Sequence, residues 1–280
     1  MGYTGQKRGE WDMVRLIALD VDGTLFNSKG TVPEGAVRAI RAAREKGVRV
    51  VIATGRSAPE AVWLTGLAGC DDRAVVLGGA AICDAVSGRL LRRWDIPAGS
   101  AARVMEILRD QPLYCMVFAG EANLLDPRAD GYFERNYQCP AYLDNTVVAE
   151  DVAAWIRDHR VPLTKIYAQG DPAVFPPLVE RLKQLPGVSL TSSGANNFEV
   201  VPDGADKGRA LCLLAGEWGI APEDIAAIGD SDNDLAMLRA VGWPVAMGNG
   251  SDEVKAAARL VTDTNDRDGV AKAIWKLIGE

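Results

Sequence analysis

Two carboxylates separated by one residue stand at the end of an apolar run near the start of the chain. The run Leu16-Ile17-Ala18-Leu19 leads directly into Asp20-Val21-Asp22-Gly23. Such a run is typical of a strand that is buried on both faces of a parallel sheet. In open α/β sheets, ligands bind just beyond the carboxyl ends of these strands. The spacing therefore predicts a catalytic or metal-binding site at Asp20 and Asp22.

Three later segments repeat this arrangement, with polar residues directly after a strand-like run. The polar residues are Thr54, Gly55 and Arg56 in the first segment, Asp203, Asp206 and Lys207 in the second, and Asp230, Asp232, Asn233 and Asp234 in the third. Any one case could be structural, because turns favour Asp, Gly and Ser. Together they predict that all four strand ends meet at one crevice.

Four of these aspartates would repel one another at such a crevice unless a cation lay among them; they are Asp20, Asp22, Asp230 and Asp234. Oxygen ligands with open positions suit Mg²⁺, which keeps water molecules and shares its coordination with a substrate phosphate. A calcium loop of the EF-hand type is excluded, because the position that needs glycine is Leu25 in one segment and Leu235 in the other.

The remaining polar residues predict an anion site beside the metal. Lys207 opens a predicted helix whose N-terminal amides favour an anion, and Thr54 offers a hydroxyl next to the amide of Gly55. A carboxylate nucleophile, a metal, a lysine and a hydroxyl together predict phosphoryl transfer. Taken alone, Lys207 could be a solvated residue at a helix start and Thr54 a helix cap.

The elements that must position these residues fall into two patterns. Strand and helix patterns alternate up to residue 83 and again from residue 198, whereas mixed α+β patterns fill the middle. We predict an α/β fold, with a doubly wound parallel-sheet (Rossmann-like) core and an inserted α+β cap. The predicted segments are a flexible tail at 1–11, the core at 12–83 and 198–280, and the cap at 84–197.

Composition narrows the possible partners and location. The chain has 280 residues and a formal net charge of −7, which argues against a general affinity for nucleic acid or an anionic membrane surface. The sequence contains neither a stretch of membrane-spanning length nor a signal peptide. Five scattered cysteines without metal-site spacing indicate reduced thiols and a cytoplasmic location.

The order of these motifs resembles that of a known family. Asp20-Val21-Asp22-Gly23-Thr24-Leu25, then Thr54-Gly55-Arg56, then Lys207, then the segment from Gly229 to Asp234 is similar to the four motifs of the haloacid dehalogenase superfamily of phosphatases. The large insertion before Lys207 resembles the Cof-type sugar-phosphatase branch. The resemblance implies a Mg²⁺-dependent phosphatase for small phosphorylated metabolites, especially sugar phosphates.

The resemblance also implies roles in catalysis and metal binding. Asp20 would be the nucleophile that forms an aspartyl-phosphate, and Asp22 would act as general acid and then as general base. The metal ligands would be the Asp20 carboxylate, the backbone carbonyl of Asp22 and Asp230.

The other motif residues would bind the phosphoryl group or hold the site in place. Thr54, with the adjacent Gly55, and Lys207 would bind the phosphoryl group, and Asn233 would reach the phosphate or the substrate. Asp234 would orient either the metal's surroundings or Lys207.

Some points stay open on the sequence alone. Gly78 stands where relatives often have Asn, which implies a missing polar contact near the entrance of the site. Arg56 either meets substrate or pairs with a surface carboxylate. The alternative functions are a phosphosugar mutase and a non-catalytic phosphoacceptor or ligand sensor, although an acceptor needs no acid for a leaving alcohol. A dehalogenase fits poorly, because it would not need the acidic metal cluster.

Overall fold

A computed structural model describes residues 14–136 and 139–280, and the predicted tail at 1–11 lies outside these residues. The described strands are β1 (Leu16–Leu19), β2 (Arg49–Ala53), β3 (Arg73–Val76), β4 (Ala81–Asp84), β5 (Leu90–Arg93), β6 (Leu113–Ala119), β7 (Ala122–Leu125), β8 (Thr146–Val148), β9 (Leu163–Gly170), β10 (Val188–Thr191), β11 (Asn197–Pro202), β12 (Ile225–Gly229), β13 (Trp243–Ala246) and β14 (Leu260–Val261). The described α-helices are α1 (Glu34–Glu45), α2 (Ala58–Ala68), α3 (Ala98–Leu108), α4 (Pro127–Asn136), α5 (Pro140–Leu143), α6 (Val152–His159), α7 (Phe175–Lys183), α8 (Lys207–Glu217), α9 (Leu235–Arg239), α10 (Asp252–Ala257) and α11 (Gly269–Leu277). None of them is both long and apolar enough to cross a membrane.

The first sheet has the strand order β14-β13-β12-β1-β2-β3-β4-β5. It is parallel from β14 to β3, and β4 and β5 extend it as antiparallel strands. Successive side chains of a strand point to opposite faces of the sheet, and because both sets are apolar here, helices pack against both faces. On β1, Ile17 and Leu19 pack in a cluster with α1, α2 and α11, whereas Leu16 and Ala18 pack in a cluster with α8 and α9.

Local sequence explains where the helix next to the site begins. Ser57 and Glu60 form the predicted capping box, and Glu60 Oε2 accepts from the Ser57 backbone N–H at 2.9 Å and from its hydroxyl at 2.7 Å. A proline in the first turn and Gly69 in the left-handed conformation at the other end set the bounds of α2. The start of α2 is therefore held rigidly beside the end of β2.

The second sheet has the order β10-β11-β9-β6-β7-β8, with β8 parallel to β7 and the other neighbours antiparallel. One face packs on its own helices through residues such as Val117 and Ile166. The alternate residues Met116, Phe118 and Tyr167 point to the opposite face, which covers the carboxyl ends of the first sheet. We call the segment 98–202, which forms this sheet and its helices, the cap.

Two strands lie on the other side of the predicted boundaries at 84 and 197. Leu90–Arg93 was expected in the inserted block but pairs with β4 in the first sheet, and Asn197–Pro202 belongs to the second sheet although it was expected to resume the core. Periodicity identifies a strand but not the sheet that it joins, which explains both differences. The chain passes between the two units at 94–97 and at 203–206.

Candidate active site

The ends of neighbouring parallel strands bring the predicted residues together. Leu19 at the end of β1 is in register with Ile52 of β2 and with Ile228 of β12. The next residues on these strands lead to Asp20, Thr54 and Asp230. Asp20 is only 4% exposed and its backbone N–H donates to Ile228 O at 3.0 Å. Three of the four predicted strand ends therefore meet at one crevice, whereas the fourth strand, β11, lies in the second sheet and is followed by α8, which carries Lys207.

Lys207 links the third motif to the first and fourth. It is the first residue of α8, and its Nζ lies 2.6 Å from Asp20 Oδ1 and 2.7 Å from Asp234 Oδ1. Burial alone would lower the pKa of Lys207, but Asp20 and Asp234 outweigh burial and raise it. Lys207 is thus held as a cation against the Asp20 carboxylate.

Both carboxylate oxygens of Asp234 accept hydrogen bonds within the site. Its Oδ1 accepts from Lys207, and its Oδ2 accepts from the backbone N–H groups of Asp230 and Ser231 at 3.0 and 3.1 Å. A carboxylate with both oxygens already bonded inside the protein is poorly suited to bind a metal directly. The geometry favours a role in orienting Lys207 and the loop that carries Asp230.

The remaining carboxylates fit a divalent cation. Carboxylate oxygens of Asp20 and Asp230 lie within 4.8 Å of each other and of an oxygen of Asp234, which is already bonded within the protein. Burial, with a further contribution from Asp234, raises the pKa of Asp20 well above its usual range, and burial raises the pKa of Asp230 to about 6. Both shifts come mainly from burial and are increased by neighbouring carboxylates, and a bound cation would favour the ionised form of each group. An all-oxygen donor set of this kind suits Mg²⁺ better than a thiolate-binding metal.

Short contacts hold the Asp230 carboxylate against the first motif. Thr24 Oγ1 donates to Asp230 Oδ1 at 2.7 Å. Gly23 has a φ of +82°, and a Cβ at this position would lie 2.4 Å from Asp230 Oδ2. Only glycine allows this approach without displacing the carboxylate.

Asp22 is held by an arginine whose partner the sequence left open. Arg56 Nε and Nη2 donate to the two Asp22 oxygens at 2.9 and 2.7 Å, and Arg56 Nη1 donates to Glu60 Oε1 at 2.9 Å. The Asp22 side chain is 61% exposed, whereas Arg56 is 12% exposed. Arg56 therefore pairs with a carboxylate of the site, and the Ser57–Glu60 cap anchors it.

The predicted anion-binding groups face the same cavity or border it. Thr54 is buried, and its Oγ1 accepts from the Arg56 backbone N–H at 3.2 Å, which leaves its own proton to donate to an anion. Gly55 and Asn233 line a cavity of about 310 Å³ that also contains Asp20 and Asp230. Asn233 Oδ1 accepts from Ser231 Oγ at 2.8 Å, so its amide N–H groups remain as donors.

The cap adds an ion pair that sequence reasoning missed. Lys165 on β9 and Glu199 on β11 line the same cavity, with 2.8 Å between Nζ and Oε2. Lys165 also donates to Gly55 O at 2.9 Å and so joins the cap to the second motif. The available signal was a single charged residue in each of two strands, since buried charges are normally paired.

Gly78 lies close to this ion pair. A Cβ at Gly78, whose φ is +70°, would lie 3.9 Å from Glu199 Oε2 and 4.0 Å from Lys165 Nζ. Charged groups of the cap therefore lie next to the position at which the resemblance implied a missing polar contact.

We expect Lys207→Met to destabilise the protein strongly. Removing the lysine leaves Asp20 and Asp234 buried beside each other without a counter-charge, which typically costs about 3–5 kcal/mol in the free energy of unfolding. Urea unfolding measures this change. Lys272→Met is the matched control, because the Lys272–Asp263 pair is 57% and 33% exposed and such pairs contribute about 0–1 kcal/mol. Equal losses in the two variants would contradict the assignment.

Comparison with known proteins identifies the family. The sequence model of the haloacid dehalogenase-like hydrolase family matches residues 17–274, and the chain belongs to this family. The phosphatase YwpJ of Bacillus subtilis (strain 168) is 32% identical over 292 residues, covering 95% of this chain and 100% of that protein. The 5-amino-6-(5-phospho-D-ribitylamino)uracil phosphatase YcsE of the same organism is 32% identical over 266 residues, covering 94% and 96%.

Solved structures agree with this assignment. A haloacid dehalogenase-like hydrolase from Bacteroides thetaiotaomicron superposes with a TM-score of 0.81 at 30% identity, covering 94% of this chain and 99% of the other. The predicted family, the α/β fold class and the enzyme class, a phosphoric monoester hydrolase, are thereby confirmed.

Proposed function

We propose that the protein is a Mg²⁺-dependent phosphatase that hydrolyses small sugar or polyol phosphates through an aspartyl-phosphate intermediate. The observation that carries the proposal is the buried Asp20 carboxylate, which contacts Lys207 at 2.6 Å and lines the same cavity as Asp230. The relative YcsE is named as a phosphatase of a compound with a phosphorylated ribityl chain, and this supports a hydroxyl-rich substrate. We also propose a cytoplasmic location, which the five free thiols support.

In the first half-reaction, an Asp20 oxygen attacks phosphorus and the bond to the leaving alcohol breaks. Lys207, Thr54 and the Gly55 amide bind the phosphoryl oxygens while this happens. Asp22 donates its proton to the leaving oxygen, so the alcohol departs neutral. Because both Asp22 oxygens accept from Arg56 in the structure, this pair must loosen for Asp22 to carry that proton.

In the second half-reaction, Asp22 is a carboxylate and takes a proton from water. The water attacks phosphorus, the bond to the Asp20 oxygen breaks, and inorganic phosphate leaves. The same residue is thus acid and base in turn. A phosphosugar mutase would need the phosphoryl group to pass to a second alcohol before water reached it.

Residues Asp20 and Asp230, with the backbone carbonyl of Asp22, would hold the metal. When bound, Mg²⁺ would neutralise charge on the phosphoryl oxygens and on the carboxylates around them. A screen of phosphorylated metabolites for phosphate release, with Mg²⁺ and with a chelator, tests the proposed function. Full turnover after exhaustive chelation would exclude the metal.

Metal binding also has a readout that needs no substrate. We expect saturating Mg²⁺ to raise the midpoint of thermal unfolding by roughly 5–10 °C, since a ligand at 100 times its Kd adds about 2.7 kcal/mol of stability. Asp230→Asn should remove this shift because it deletes a ligand. Asp263→Asn is the matched control and should keep the shift, because Asp263 pairs with Lys272 away from the site. An undiminished shift in the Asp230 variant would contradict the metal assignment.

A further inference from the structure

The ion pair between Lys165 and Glu199 lies at the wall of the active-site cavity. Their side chains are only 2% and 4% exposed. Burying two charges costs free energy that their attraction only partly offsets, and apolar residues of similar size often stabilise a protein equally well. A pair that is kept at a cavity wall, where it can meet a ligand, suggests a function in recognition.

The pair has hydrogen-bonding capacity to spare. Within the described residues, Lys165 Nζ has two partners, Glu199 Oε2 at 2.8 Å and Gly55 O at 2.9 Å, although an ammonium has three donors. Glu199 Oε1 accepts only from Ser193 Oγ, at 3.3 Å, among those residues, and a carboxylate offers about four acceptor sites. One donor and at least one acceptor therefore remain side by side. A hydroxyl both donates and accepts, so neighbouring hydroxyls complement this arrangement.

The charge around the cavity further restricts the chemical class of ligand that it can bind. Among the described residues that line the cavity, carboxylates outnumber cations; the carboxylates are Asp20, Asp22, Glu60, Glu199 and Asp230, and the cations are Arg56 and Lys165. Lys165 and Arg56 are already paired with carboxylates. A second anionic group on the substrate would meet Glu199 without a free counter-charge and would be disfavoured.

We propose that Lys165 and Glu199 determine specificity by binding hydroxyl groups of the alcohol half of the substrate. The inference rests on the proposed phosphatase function and assigns its substrate class: phosphate esters of neutral, polyhydroxylated alcohols. Lys165 orients Glu199 and ties it to the second motif through Gly55, so the hydroxyls are recognised at a fixed position relative to the phosphoryl group.

Two esters that differ only in hydroxyl groups test this role. Sorbitol 6-phosphate and hexyl phosphate are both primary esters of a six-carbon chain. We expect the wild-type protein to favour the sorbitol ester in kcat/KM. Glu199→Gln should lower kcat/KM for the sorbitol ester by about 10-fold or more, because hydrogen bonds to a charged group are the stronger ones. The value for hexyl phosphate should change by less than about 3-fold.

A second variant addresses the chance that a broken ion pair disturbs folding. Lys165→Met together with Glu199→Leu replaces the pair with apolar side chains of similar size, a change that proteins often tolerate. We expect this double variant to lose the preference for the sorbitol ester, because its kcat/KM should fall more for that ester than for hexyl phosphate. Glu180→Gln, an exposed change on α7 of the cap, is the matched control and should leave both values unchanged.

The outcomes separate the inference from the function on which it rests. Equal losses on both esters in the two variants, or no preference in the wild-type protein, would mean that the pair only supports the structure. If the wild-type protein released phosphate from neither ester nor from p-nitrophenyl phosphate, the phosphatase proposal itself would fail.

Discussion

Asp20→Asn is expected to abolish phosphatase activity while leaving the fold intact. A neutral amide cannot take up the phosphoryl group, and loss of a covalent nucleophile lowers kcat by on the order of 10⁶-fold. The fold should survive because an Asn oxygen can still accept from Lys207, which also remains paired with Asp234 at 2.7 Å. Phosphate release and circular dichroism on the same preparation measure the two effects.

The neighbouring acid Asp232 provides the control for this variant. Asp232 is exposed and accepts from Ser251 Oγ at 3.1 Å, away from Lys207. Asp232→Asn makes the same chemical change in the loop of the fourth motif and should keep activity. If the Asp20 variant retained more than trace turnover in pure protein, the nucleophile would have to be another group.

Asp22→Asn is expected to separate the two half-reactions. With a sugar phosphate the leaving alcohol needs a proton, so kcat should fall by about 10²–10⁴-fold, the usual contribution of a general acid or base. With p-nitrophenyl phosphate the leaving phenolate needs little protonation. The variant should then phosphorylate Asp20 and hydrolyse the intermediate slowly, giving a stoichiometric burst of nitrophenolate before a depressed steady rate.

Rapid mixing measures that burst, and it is informative only if the rest of the site stays in place in the variant. Glu60 also holds Arg56, with 2.9 Å between Oε1 and Nη1, so Arg56 should stay in place when Asp22 is changed. Asp232→Asn should show wild-type kinetics with both esters. If phosphorylation of Asp20 were lost as severely with the nitrophenyl ester as with a sugar phosphate, Asp22 would have a positional role and would not be the general acid.

The residues of the first and fourth motifs could be predicted because each follows an apolar strand directly. Parallel strands with polar ends converge on one edge, so Asp20, Thr54 and Asp230 were brought together correctly. The start of α2 could also be predicted from the sequence, since its capping box is a local pattern. Their catalytic and metal-binding roles remain predictions until the variants are measured.

Contacts between distant parts of the chain could not be predicted in this way. Arg56 finds Asp22 in the first motif, and Lys165 finds both Gly55 and Glu199. Each pairing depends on how the cap sits on the first sheet, and no local pattern encodes that placement. The sheets that contain Leu90–Arg93 and Asn197–Pro202 were predicted wrongly for the same reason, because strand pairing is decided by tertiary packing.

The two crossings between the units have a consequence for engineering. The chain leaves the first sheet after β5 and returns after β11, so Lys165 and Glu199 lie in one continuous segment while Asp20, Lys207 and Asp230 lie outside it. A chimera that grafts the segment of a relative equivalent to 98–202 onto this core would exchange these cap residues together. It must keep Gly79 in the core, because a Cβ at this position would lie 2.1 Å from backbone atoms of Asp206 at the second junction. If the proposed role of the cap is correct, we expect the chimera to take on the substrate range of that relative while Asp20, Lys207 and Asp230 stay in place.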